Sequence, residues 1–291
     1  MEIVYHIGIH CTDEDRLIKS VLKNTGNFSS DGVKIPSPNK YRRAIRETIQ
    51  ELNGAPPEPG MREELLNGIL DGSDAKRLVM SNPNFICVPN RVFGRNVFYT
   101  QTEPKIRALH QIFPEDQIEI FMSLRNPATY LPALFAESDL SDYTAFMKNM
   151  HVTDILWSNI IRRILHVAPK SRLVVWCNED TPLIWAELIR KLGGVAPDRE
   201  IAGGFDLLGT IMSPLGLDRF QAYMRQNPPK TEAQTRKVLV AFLEKFAIPE
   251  QIEEEVDFPN ATPALVQELT NKYDEDVALI AGLPGVEFIK P

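Results

Sequence analysis

The side chains best suited to chemistry cluster near the amino terminus, in His6-Ile7-Gly8-Ile9-His10-Cys11-Thr12-Asp13-Glu14-Asp15-Arg16. His6 and His10 have even spacing, so on a strand they share a face with Gly8. Beside Asp13 or Asp15 such imidazoles suit a general base or a divalent-cation site. The same pattern also fits histidines buried and hydrogen-bonded in a core. Three consecutive acids, Asp13, Glu14 and Asp15, close the run. A carboxylate about 6 Å from a phosphate charge opposes it by up to about 3 kcal/mol at an effective dielectric of ~20. If these acids face a crevice, the site should prefer a cation or an amine; if they face solvent, they complement a helix macrodipole. Gly-x-x-x-x-Gly-Lys-Ser/Thr is absent here, so a nucleotide-hydrolysing loop is not supported. Thr12 and Asp15 have the spacing of a capping-box variant, which predicts a helix from Thr12.

Strands and helices must carry these groups to one place. Apolar runs predict buried strands over 3–9, 77–80, 117–124 and 172–177, with a short extended piece over 286–289. Helical patterns separate them, over 12–24, 41–52, 62–70, 103–112, 128–136, 142–150, 153–167 and 182–192. This alternation argues for an α/β fold whose mainly parallel sheet is covered by helices on both faces. Beyond Gly193 the pattern becomes helical, clearest over 231–246 and 262–283. The expected organisation is one domain, with an α/β core over 1–200 and a mostly helical annex over 201–291. Residues 53–60, rich in glycine and proline, read as a connection.

Composition narrows the function classes. Acidic residues outnumber basic ones by 39 to 32, and the net charge of −7 disfavours general attraction to nucleic acid or anionic lipid. Cys11, Cys87 and Cys177 match neither a disulfide framework nor a zinc spacing. They read as reduced thiols, and with no signal peptide or membrane-spanning run the expected location is cytoplasmic. A local basic pocket is compatible with the charge balance. Asn90-Arg91-Val92-Phe93-Gly94-Arg95 reads either as a basic loop for an anionic substrate or as an exposed hairpin.

Several short stretches, taken in order, resemble the sulfotransferase branch of the P-loop superfamily, especially bacterial sulfotransferase-like proteins. His6-Ile7-Gly8-Ile9-His10 resembles the family's opening strand, and Asp31-Gly32-Val33-Lys34-Ile35-Pro36 its following turn. Arg125-Asn126-Pro127 is similar to the segment whose arginine binds the 3′-phosphate of 3′-phosphoadenosine 5′-phosphosulfate (PAPS). Leu173-Val174-Val175-Trp176-Cys177-Asn178-Glu179-Asp180 resembles a later strand end, and 273–280 the terminal helix. The resemblance implies PAPS as cofactor, with Thr12, Arg16, Ser81 and Arg125 around it and His10 or His110 as base.

The departures fall on the donor and base apparatus. Cys11 stands where the family has its loop lysine, Asp13 where it has glycine, and Glu14 and Asp15 where it has hydroxyl residues. Ala133 replaces a serine, and Pro83 an acid. Two functions are therefore expected of such a chain: a non-catalytic or repurposed member with a small-molecule or protein ligand, or a transferase moving a sulfuryl group from PAPS to a hydroxyl or amine.

Overall fold

The computed structural model describes every residue of the chain except Arg95, Glu254 and Glu255. Six parallel strands form the main sheet in the order β2-β3-β1-β6-β7-β8. These are β1 (Glu2–His6), β2 (Val33–Lys34), β3 (Arg77–Ser81), β6 (Gln117–Leu124), β7 (Arg172–Cys177) and β8 (Val286–Phe288). A separate hairpin joins β4 (Phe93–Gly94) to β5 (Val97–Phe98).

Alternation along the strands sorts side chains to two faces. Ile3 and Tyr5 of β1 join Leu78, Met80, Ile120 and Val175 in the larger core. Over it lie α3 (Pro38–Leu52), α4 (Met61–Leu70), α5 (Thr102–Ile112), α6 (Pro127–Glu137), α7 (Tyr143–Met147), α8 (Trp157–Val167) and α14 (Pro263–Ala281). Val4, Val79, Phe121 and Val174 point the other way, against α1 (Arg16–Leu22), α2 (Thr25–Ser29) and α9 (Thr181–Gly193). The coarse architecture expected from the sequence is thus present: an α/β sheet with helices on both faces. Trp157, Trp176 and Trp185 are core residues, as their apolar contexts suggested.

The helical annex comprises α10 (Leu208–Ile211), α11 (Pro214–Gln226), α12 (Glu232–Phe246) and α13 (Pro249–Ile252). Leu208, Met212, Phe220 and Leu239 form its own small core. Helix α14 packs on the larger core, and β8 pairs with β7 through Leu173 and Val286, so 263–288 belongs with the sheet.

Local backbone chemistry explains other differences. Helix α7 stops at Met147 because Lys148 and Asn149 adopt left-handed φ of 47° and 65°. The helix expected over 153–167 begins only at Trp157, after a 3₁₀ turn over Val152–Asp154. The hairpin that the sequence also allowed is present; it carries Phe93 and Phe98 into the core and leaves Asn96 and Val97 exposed.

Candidate functional site

In open parallel sheets, ligands collect beyond the carboxyl ends of strands where the strand order reverses. Here that point is β1, which has β3 on one side and β6 on the other. The chain leaves β1 through Ile7 and Gly8, still held to β6: Ile7 N–H donates to the Phe121 carbonyl at 3.0 Å, and Ser123 N–H to the Gly8 carbonyl at 2.8 Å. Gly8 has φ +88°, and a Cβ there would stand 3.1 Å from Pro83 Cα. Glycine suits this position through its positive φ and the close approach of Pro83.

The loop then turns through Cys11, Glu14 and Asp15, at left-handed φ of 56°, 49° and 63°. Helix α1 consequently starts at Arg16 rather than Thr12, and the expected capping box does not form. Thr12 Oγ1 donates back to the Ile9 carbonyl at 2.8 Å. Asp13 accepts from Leu17 N–H at 3.1 Å. Asp15 turns away to Arg42 of α3, which grips both carboxylate oxygens at 2.6 and 2.8 Å. Arg16 pairs with Glu14 at 2.7 Å, with both side chains largely exposed.

Arg125, directly after β6, does reach this loop. Its Nη1 donates to the Cys11 carbonyl and its Nε to Thr129 Oγ1 at 3.2 Å, while Trp157 Nε1 donates to its main-chain oxygen at 2.9 Å. Glu179 accepts from Asn126 N–H at 2.8 Å and from the Tyr273 hydroxyl at 2.9 Å, a tie between β6, β7 and α14 rather than a helix cap.

His6 and His10 are both buried. His10 Nδ1 meets the Tyr99 hydroxyl at 2.7 Å and Nε2 meets Asn84 Oδ1 at 3.0 Å. The carboxamide oxygen can only accept, so the proton sits on Nε2 and Tyr99 donates to Nδ1. Burial lowers the His10 pKa, keeping the ring neutral. With both nitrogens engaged, His10 is not placed as a free base. His6 bonds Ser81 Oγ at 2.9 Å and stacks on Trp176, while its Nε2 is buried without a partner among the described residues. Ser81 is itself enclosed; its carbonyl accepts from Tyr41 and Arg42, each at 2.9 Å.

His110 belongs elsewhere. It sits in the last turn of α5 and bonds Ser171 at 2.9 Å, immediately before β7. That is the amino edge of the sheet, opposite the loop, so His110 cannot work at the same site as His10. The structure gathers Thr12, Arg16 and Arg125 at the loop, with Ser81 and His10 behind it. Sequence reasoning missed Arg42, Asn84 and Tyr99, which come from other elements and have no local signature.

Above the loop lies a cleft of about 740 Å³, between the strand ends and the annex. Thr12, Asp13 and Arg16 form one side, and Leu207, Ile211, Val240, Leu243 and Ile252 the other. Glu179, Glu244 and Asp13 are its acids, against Arg16 as its one basic side chain among the described residues. On the α9 wall, Thr181 Oγ1 and Trp185 Nε1 are buried without hydrogen-bond partners among the described residues. Nucleophilic thiol chemistry is disfavoured: burial pushes Cys87 and Cys177 up to about 12, and Cys11 is raised for the same reason. Among the described residues no group of three or more His, Cys, Asp and Glu is placed to hold a metal ion, and no helix is long and apolar enough to cross a membrane. Comparison with known proteins finds no matching family model, no matching curated protein and no matching solved structure.

Proposed function

We propose that this chain is a non-catalytic, sulfotransferase-like binding protein, whose altered phosphate loop now borders a cleft for an apolar amine. The observation that carries this reading is the engagement of the loop with its own surroundings. Thr12 holds Ile9, Asp13 holds the α1 backbone, Asp15 holds Arg42, and Arg125 holds the Cys11 carbonyl. An anion would have to displace these contacts and then face Asp13. Removing donors aimed at developing charge costs a transferase about 3 kcal/mol each in transition-state stabilisation. The cleft offers the reverse complement, with apolar annex side chains for a hydrocarbon body and carboxylates for a cationic head.

A second reading, sulfuryl transfer from PAPS, draws support from Arg125, whose side chain reaches the loop where the resemblance expects a phosphate ligand. It requires that arginine to release the Cys11 carbonyl. Titration with 3′-phosphoadenosine 5′-phosphate separates the two. No binding at millimolar ligand is expected; micromolar binding that disappears in Arg125→Ala would overturn the binding-protein reading in favour of the transferase. Tryptophan fluorescence with phenylbutylamine and phenylbutyrate checks the ligand class, and the amine should bind more tightly. Equal affinities would remove the charge argument.

A further inference from the structure

A second cleft, of about 670 Å³, opens between α3 and the segment after β3, with α5 at its end. Its charge is opposite to that of the cleft above the loop. Arg42, Arg43 and Arg46 project from α3, Arg91 from the turn before the hairpin and Lys105 from α5. No acidic side chain lines it among the described residues. Arg42 and Arg43 are already matched, by Asp15 and Glu47. Arg46, Arg91 and Lys105 have no side-chain hydrogen bond or ion pair among the described residues.

Three unmatched cations around one concavity repel one another in a chain with net charge −7 and ample carboxylates to pair with. The repulsion is felt where burial is greatest: burial first, and then Arg91, lowers the Lys105 pKa. The remaining polar lining consists of carboxamides, Asn39, Gln50, Asn82, Asn84 and Gln101, which both donate and accept. Phe85, Ile86 and Val88 add apolar surface. The volume suits a small molecule rather than a flat macromolecular contact.

We infer that this cleft is a binding site for a small molecule bearing a tetrahedral oxyanion ester, held by Arg46, Arg91 and Lys105 and oriented through its neutral body by the surrounding carboxamides. Guanidinium groups present paired donors that match phosphate and sulfate oxygens, and the lysine adds a compact charge. The amides match hydroxyl-rich bodies, such as a sugar ring. The site shares no lining residue with the cleft above the loop.

The test is calorimetric titration of the full chain with inorganic pyrophosphate at low ionic strength. One saturable site is expected, weakened at least tenfold in Arg91→Gln and in Lys105→Gln. Arg46→Gln, at an exposed position of α3, provides a variant whose folding is not at risk and should also weaken binding. Arg225→Gln, in the annex, should leave it unchanged. Absence of saturable binding at millimolar ligand, or equal affinity in all four variants, overturns the inference. Glucose 6-phosphate and glucose 6-sulfate then tell the two ester sources apart, and binding of either supports the site. Tight binding of heparin with no binding of either sugar ester would overturn the small-molecule assignment.

Discussion

The guanidinium of Arg42 joins the β1–α1 loop to the segment after β3, holding both oxygens of Asp15 at 2.6 and 2.8 Å while its Nε donates to the Ser81 carbonyl at 2.9 Å. One side chain therefore fixes the loop against α3 and against the end of β3. It also keeps the third acid of the acidic run out of the cleft above α1.

The pair should be visible in stability. Hydrogen bonding from Arg42 holds the Asp15 carboxyl below its ordinary range. Its stabilisation is therefore present above the unfolded value of about 3.9 and lost as pH falls through the lower folded value. Because the pair is partly solvated, Asp15→Asn should cost only about 1 kcal/mol at pH 7. Urea unfolding across pH 7 to 3 should show the gap between wild type and variant closing below about pH 4. A gap that stays constant would mean that the loss at pH 7 has another source.

Buried histidines set a second pH dependence, at higher pH. Burial lowers both His6 and His10 from the ordinary value. An unfolded histidine takes up its proton near pH 6.5, while these rings resist doing so. Their contribution is thus fully present above about pH 6.5 and erodes on acidification. Imidazole resonances of both should titrate below pH 6.5, and His10→Gln should flatten the fall in stability as pH drops below about 6.5. A ring that titrates at or above 6.5 contradicts this.

Packing in the annex gives a third test. A Cβ on Gly216 would lie 2.3 Å from Phe246 Cβ and 2.7 Å from its Cγ. Gly216→Ala should therefore destabilise the annex by about 1–3 kcal/mol through overpacking. Proteolysis within 208–252 should quicken, and Phe246→Leu introduced into the variant, which keeps the clashing Cβ and Cγ, should not restore resistance. Undiminished protease resistance would show that α11 and α12 can shift apart freely.

The sheet was legible because its strands are short apolar runs bounded by helical patterns; the pairs Val4 with Val79 and Ile120 with Leu173 realise that pattern. Strand β2 was missed since two residues carry no periodicity. At the site, Arg125 could be placed at the loop from its position after a strand. That it would grip a main-chain carbonyl could not, because such an acceptor has no residue identity. His10 likewise appeared as a reactive group, and the partners that occupy its two ring nitrogens, Tyr99 and Asn84, lie 89 and 74 positions away. Thr12 and Asp15 show the reverse failure: the spacing of a cap was present, but Arg42 competed for the carboxylate.

Strands β7 and β8 are neighbours in the sheet although the annex lies between them in sequence. The annex is consequently an excursion whose two ends return to one rigid support, and it cannot wander as a domain on a single tether would. The entropy of closing such an excursion rises only by about 0.6 kcal/mol for each doubling of its length. The wall facing the loop can therefore be lengthened, shortened or exchanged at little cost to the sheet. Ligand preference in the cleft above α1 can change through the annex alone, while the strands that present Asp13 and Arg125 stay as they are.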